Sequence, residues 1–239
     1  MSDDRLYFKQ LLSGRDFARG DMLAQQMVNF CYLVGDRETG EAVAVDPAYG
    51  IDELLAVLDA DGMRLTGVLA THYHPDHVGG SMMSYAIEGI RDLLERGVPA
   101  KLHCQREESF GVHRVTDIAM TDIVEHADGD VLEVGAIPIT LLHTPGHTPG
   151  SQCFLVDGRL VSGDTLFLDG CGRTDLPGGD AEQLYDSVHH RLATLPDDTV
   201  LYPGHLYSAE PSASLADVRA RNYVFRFKTL PQWMTMFAE

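Results

Sequence analysis

The chain of 239 residues is predicted to be a mixed α/β (α+β) protein, a four-layer αββα sandwich formed as one domain over residues 1–239. Three observations predict this class. Short apolar segments bounded by glycine-containing or polar turns alternate with helix-like segments, and the order of strands with interleaved helices occurs twice. The strands lack the regular βαβ rhythm of one parallel sheet, so two sheets packed together and covered by helices is the arrangement that fits. No linker, low-complexity run or clear repeat divides the chain, and its length suffices to bury roughly 70% of the unfolded surface.

In chain order, "VNFCYLV" (28–34) and "EAVAVD" (41–46) read as strands joined through "GDRETG", a hairpin. "IDELLAVLDADG" spaces its apolar residues as a helix does and ends on glycine. "RLTGVLATH" reads as a buried strand that delivers "THYHPDHVGG" (71–80) at its carboxyl end. "SMMSYAIEGIRDLLERG" is expected to be an amphipathic helix with Ser81 as its N-cap, followed by the strand "AKLHC". Residues 105–128 show no clear period. Beyond them, "VLEVGAIPITLLH" and "CFLVDGRLVSGD" give four short strands, "AEQLYDSVHHRLATL" a helix and "TVLYPG" a last strand.

The composition, 44% hydrophobic and 23% charged, is that of an ordinary globular protein. A formal net charge of −18 opposes binding to nucleic acid or to an anionic membrane, both of which require a positive surface. The main exception is "RARNYVFRFK" (219–228), with positive Arg219, Arg221, Arg226 and Lys228 and no acid, which offers cations to a small anionic substrate. With no apolar leader behind a basic segment and no run of about 18 apolar residues, a cytoplasmic location is expected. Cys31, Cys104, Cys153 and Cys171 form no C-x-x-C pair, and core packing is expected of the first three.

The stretch 71–80 crowds His72, His74, Asp76 and His77 together and follows them with two glycines. If strand geometry runs on, His72, His74 and Asp76 project from one side and His77 from the other, giving two adjacent half-sites. Imidazole and carboxylate are the ligands that borderline divalent metals prefer. Three later polar residues stand at strand ends beside glycine or proline: His147 in "HTPGHTPG", Asp164 in "VSGDTLF" and His205 in "YPGH". Together these are five histidines and two aspartates, enough for two metal ions with an aspartate between them. His103, His113, His126, His143, His189 and His190 read as structural, although the "HR" pair at 113–114 could reach a pocket.

Through H-x-H-x-D-H and the later His, Asp and His in that order, the chain resembles the metallo-β-lactamase superfamily along nearly its whole length. The resemblance implies an αββα sandwich with metals at one edge. It places the first metal on His72, His74 and His147 and the second on Asp76, His77 and His205, with Asp164 bridging and Asp46 beneath the site fixing ligand orientation. It implies two divalent ions, zinc first with iron or manganese as alternatives, and hydrolysis by a metal-bound hydroxide oriented by Asp76.

Within the superfamily, "GDTLFLDGCGRTDLPGGDAEQLYDSVHHRLATLP" resembles glyoxalase II-like enzymes and glutathione persulfide dioxygenases. The main expectation is hydrolysis of a hydroxyacylglutathione-type thioester. The alternative is a persulfide dioxygenase, more similar in "GCGRTD" and in Tyr207, with a single Fe(II) on His72, His147 and Asp164. Lactonase and β-lactamase-like hydrolysis are further alternatives, whereas flavin-linked diiron members would carry an acid at His74 and nuclease members a positive channel. Cys171, Arg173 and Tyr207 are the substrate-side candidates, with Arg221 and Arg226 to neutralise the carboxylates of a glutathione-derived small molecule. Neither nucleic acid nor membrane is expected as a partner, and a homodimer is compatible with the sequence. Only residues 206–239 follow His205, against the sizeable helical domain of a typical glyoxalase II, and the long stretch 79–128 is expected to be a lid or an interface.

Overall fold

The computed structural model describes residues 5–82 and 84–237. The first half runs β1 (Leu6–Leu12), α1 (Met22–Met27), β2 (Phe30–Asp36), β3 (Glu41–Val45), α2 (Ile51–Ala60), β4 (Arg64–Leu69), α3 (Pro75–Val78), β5 (Gly80–Met82), β6 (Tyr85–Ile87), α4 (Ile90–Glu95), β7 (Lys101–Gln105), α5 (Ser109–Thr116) and β8 (Ile123–His126). The second runs β9 (Val131–Val134), β10 (Ile137–His143), β11 (Gln152–Val156), β12 (Arg159–Gly163), α6 (Ala181–Asp186), β13 (Val200–Pro203), β14 (Ala213–Ser214), α7 (Leu215–Arg221) and α8 (Leu230–Phe237). Two six-stranded sheets result, ordered β1-β2-β3-β4-β7-β8 and β14-β13-β12-β11-β10-β9.

Period-two alternation along the strands makes the layers. In β2, Phe30, Tyr32 and Val34 point to the other sheet, where they meet Ile139, Leu141, Phe154 and Val161. Cys31 and Leu33 point the opposite way, into an outer core with Ile51, Leu54 and Leu58 of α2 and Ile90 and Leu93 of α4. The outer face of the second sheet buries Leu160 and Leu201 against Leu184 of α6, Leu215 and Val218 of α7 and Trp233 of α8. Three apolar layers between four layers of structure are the expected αββα sandwich. Each fully buried large aliphatic or aromatic side chain contributes about 1.5–3 kcal/mol. Trp233 also donates its indole N–H to the Ala181 carbonyl, 2.8 Å away. Cys31, Cys104 and Cys153 are buried free thiols, as expected.

The parallel pairs β3–β4, β4–β7 and β12–β13 bring strand carboxyl ends to one edge. Ligand sites of sheets with parallel strands gather at such ends. Gln152 staples the sheets there, its amide donating to the Ala70 carbonyl at 2.7 Å and accepting from Gln105 at 2.9 Å.

Two expectations are corrected. Residues 81–97 do not form one helix: β5 and β6 pair as a hairpin, Gly80 opposite Ile87, and the helix begins at Ile90, so Ser81 lies in a strand and caps nothing. The physical reason is local, since Gly80 at φ +121° and Ser84 at φ +72° occupy conformations that a right-handed helix does not contain. Nor does strand geometry run on through the histidine motif. β4 stops at Leu69, and Asp76 and His77 stand in the four-residue α3, opened by Pro75. No helix among the described residues is long and apolar enough to cross a membrane.

Candidate metal centre

Each of the seven predicted ligands lies on a connection at the sheet edge. His72 and His74 follow β4, Asp76 and His77 open α3, His147 follows β10, Asp164 follows β12 and His205 follows β13. The fold joins them in overlapping groups, His72/His74/His147, His72/His77/Asp164 and Asp76/His77/His205, with the ligand atoms of each group within 4.8 Å of one another.

In the first group, His74 Nδ1 lies 3.0 Å from His72 Nε2 and 3.1 Å from His147 Nε2. Nitrogens this close are within reach of a single ion lying about 2.1 Å from each. Burial, followed by the neighbouring imidazoles, holds His72 well below the ordinary histidine range and pushes His74 down to about 4. These rings are therefore neutral, the form that ligates metal. The outer nitrogens are fixed: His147 Nδ1–H donates to the Arg173 carbonyl at 2.8 Å, and His72 Nδ1–H to Thr71 Oγ1 at 3.0 Å. Thr71 in turn donates a hydrogen bond from its hydroxyl to Asp46 at 2.6 Å. Such anchoring selects the tautomer that leaves the inner nitrogen free.

Around the second group, His77 Nδ1–H donates to Asp46 at 2.9 Å, and His205 Nδ1–H to the Met27 carbonyl at 2.8 Å. Asp46 thus holds one histidine directly and another through Thr71, from a backbone at φ +52°. His77 Nε2 is 3.2 Å from His205 Nε2 and 3.5 Å from Asp76 and from Asp164. Burial opposes a proton on His77, but Asp76, Asp164 and Asp46 prevail and raise it to about 10. Asp164 lies between the groups, 3.3 Å from His205 and 3.8 Å from His147. Its buried Oδ1 has no hydrogen-bond partner, which fits a carboxylate awaiting a cation. A Cβ on Gly204 would come within 2.3 Å of that oxygen, so position 204 admits only glycine without a shift.

Two residues without a sequence signal complete the centre. Asn29 is carried in where the start of β2 pairs with the His205 loop, Phe30 N–H donating to the Gly204 carbonyl at 2.8 Å. Its amide donates to Asp76 Oδ2 at 3.1 Å and lies 3.3 Å from His77 Nε2. Glu108, fully buried before α5, accepts from Tyr73 N–H at 2.6 Å, Thr148 Oγ1 at 2.8 Å and Gly150 N–H at 2.7 Å. It ties together the loops that carry His74 and His147. Burial raises its carboxyl to about 7 against the effect of those donors.

Over the centre opens a cavity of about 640 Å³, walled by Met82, Val115, Phe167, Leu176 and Pro177 among others and floored by His74, Asp76, His147 and Asp164. Cys171, Arg173 and Tyr207 line it as well. Burial pushes the Cys171 thiol up to about 12, and Arg173 forms a fork with Asp175. Tyr207 stacks on His205, centroids 4.7 Å apart. Arg221 and Arg226 are exposed and do not line this cavity; the 219–228 segment sends Tyr223 there instead. From the 79–128 stretch come Met82, Arg114 and Val115. His113 turns away to the Ile118 carbonyl, and His103 pairs with His126, both outside the cavity.

A sandwich with this ligand array defines a class, and the comparison with family models agrees with it. The metallo-beta-lactamase superfamily model matches residues 25–205, and the chain belongs to that superfamily. Within it, the chain is 32% identical over 225 residues to "Persulfide dioxygenase ETHE1, mitochondrial" of Homo sapiens, covering 90% of this chain and 80% of that protein. It is 37% identical over 183 residues to the hydroxyacylglutathione hydrolase of Polaromonas sp., covering 75% of this chain and 62% of that one. The crystal structure of ETHE1 from Myxococcus xanthus superposes with a TM-score of 0.77 at 31% identity, covering 97% of this chain and 89% of that one.

Proposed function

We propose that this enzyme of the superfamily is a persulfide dioxygenase, acting on glutathione persulfide or a comparably small persulfide, with one ferrous iron on His72, His147 and Asp164. The observation that carries the reading is the inequality of the two ligand groups. In the first, the Nε2 atoms of His72 and His147 converge on His74 Nδ1, and Asp164 Oδ1, between the groups, lacks a partner. In the second, the Asn29 amide donates to Asp76 beside His77, so part of that group's demand is already met by the protein. The likeness to persulfide dioxygenases, which extends over more of the chain than the likeness to the hydroxyacylglutathione hydrolase, supports the same choice.

His72, His147 and Asp164 would hold the ferrous ion, which would supply the redox chemistry that oxygen insertion at sulfur needs. The chain's own residues prepare that place. Asp46 and Thr71 lock the tautomer of His72, and the Arg173 carbonyl locks that of His147. Phe167, Leu176, Pro177, Met82 and Val115 present an apolar wall that limits water around a reactive sulfur. The protonated thiol of Cys171 offers no competing thiolate at neutral pH.

A two-metal thioester hydrolase is the second reading, favoured by the intact Asp76/His77/His205 group, in which Asp76 would orient a water. Two variants separate the readings. With His147→Ala, iron and oxygen uptake are lost; with His205→Ala, about one iron per chain and at least a tenth of the uptake with glutathione persulfide remain. Equal loss in both variants, with hydrolysis of a glutathione thioester by the zinc form of the unmodified chain, would establish the second reading instead.

A further inference from the structure

The cavity wall carries three carboxylates, Asp76, Asp164 and Asp169, and two guanidinium groups. Arg173 is spent on Asp175, which it grips with both Nε and a terminal nitrogen. Arg114 forms no ion pair among the described residues and is exposed at the mouth. Its place is set by packing. Gly111 lies so close to Tyr73 that a Cβ would sit 2.6 Å from the ring, and Arg114, one turn further along α5, shares that helix face. Tyr73 is itself fixed between His72 and His74, its hydroxyl donating to the Pro177 carbonyl at 2.8 Å. Arg114 lines both the main cavity and a neighbouring hollow of about 240 Å³, which also share Tyr73 and Pro177.

We propose that Arg114 forms a carboxylate subsite, which receives the carboxylate of a small thiol or persulfide while the sulfur end lies over His74, His147 and Asp164. The guanidinium fork matches a carboxylate with two parallel hydrogen bonds, which lysine cannot reproduce. On a chain of net charge −18, one uncommitted cation at an otherwise acidic mouth decides which anions enter and in which orientation. The assignment of the sulfur end rests on the proposed dioxygenase function; recognition of the carboxylate does not.

The test is binding, measured by calorimetry on the metal-loaded protein with two probes, glutathione and its diethyl ester, in which both carboxylates are masked. The unmodified protein should bind glutathione about tenfold more tightly than the diester, the equivalent of one charge-assisted interaction. Arg114→Gln should erase that preference by weakening glutathione alone, and Arg114→Lys should restore part of it. In turnover, Arg114→Gln should raise KM several-fold at nearly unchanged kcat. An unaltered melting temperature shows that the exposed substitution leaves the fold intact. No binding of glutathione by the unmodified protein, an unchanged preference in Arg114→Gln, or equal weakening of both probes would overturn the subsite. The binding pattern without oxygen uptake would leave the subsite standing and refute the dioxygenase reading.

Discussion

Replacing Glu108 by glutamine should have opposite effects on stability at pH 5 and pH 8. The buried carboxyl titrates at about 7 in the fold, because burial outweighs the three donors aimed at it. Its ordinary value is 4.5. A carboxyl raised on folding contributes stability that is present below 4.5 and is lost as pH climbs towards 7, since the folded state binds the extra proton. Between pH 5 and pH 8 the linkage amounts to about 2.5 kcal/mol. Glutamine carries no such dependence, but it turns an amide N–H toward the Gly150 N–H, a lost hydrogen bond worth ~1–2 kcal/mol. Glu108→Gln should therefore be less stable than the parent at pH 5 by roughly the smaller part of that range and more stable at pH 8 by ~1–2 kcal/mol. Urea unfolding of both metal-free proteins at the two pH values measures this, and comparison within each pH cancels the titration of the shared histidines. A difference that does not move with pH, or that favours the parent more at pH 8, would refute the assignment of a neutral-range carboxyl at this position.

Further predictions concern the centre and the outer core. Gly204→Ala drives a methyl into Asp164 Oδ1 and should weaken metal affinity at least tenfold in a competitive chelator titration. Removing the metal with a chelator should lower the melting temperature by about 5–10 °C, as expected for loss of a ligand held at roughly 100 times its Kd. Asn29→Ala removes the donor that satisfies Asp76, so a second zinc equivalent should bind at least fivefold more tightly than in the parent, measured by titration with a zinc-sensitive dye. Trp233→Phe loses the bond to the Ala181 carbonyl and part of the packing against Tyr185 and Phe237, and should cost about 1–2 kcal/mol by urea unfolding, with metal content unchanged.

The ligand residues were legible because their chemistry is carried by residue type: histidine and aspartate at glycine- and proline-flanked strand ends have few other uses. The strand at 28–34 was equally plain, because a sheet buried on both faces leaves an almost continuous apolar run, but that run does not tell Phe30, Tyr32 and Val34 from Cys31 and Leu33, which face different cores. The segment 80–87 misleads because a short apolar stretch has no decisive period, and the turn at Ser84 leaves no mark in composition. Arg221 and Arg226 show why charge count is a poor guide to a site, since nothing in the sequence says which side of α7 and the following turn meets the cavity. Asn29 and Glu108 are one asparagine and one of two adjacent acids. Their roles exist only once β2 pairs with the Gly204–Leu206 backbone and the start of α5 settles under the loops of His74 and His147.

The most direct test of a single-iron dioxygenase is oxygen uptake with glutathione persulfide, by protein reconstituted anaerobically with ferrous iron and assayed for metal content in the same sample. The account predicts sustained uptake at about one iron per chain, with no gain from a second equivalent. Absence of uptake at confirmed iron occupancy, or activity that appears only when two metals are bound, would contradict it.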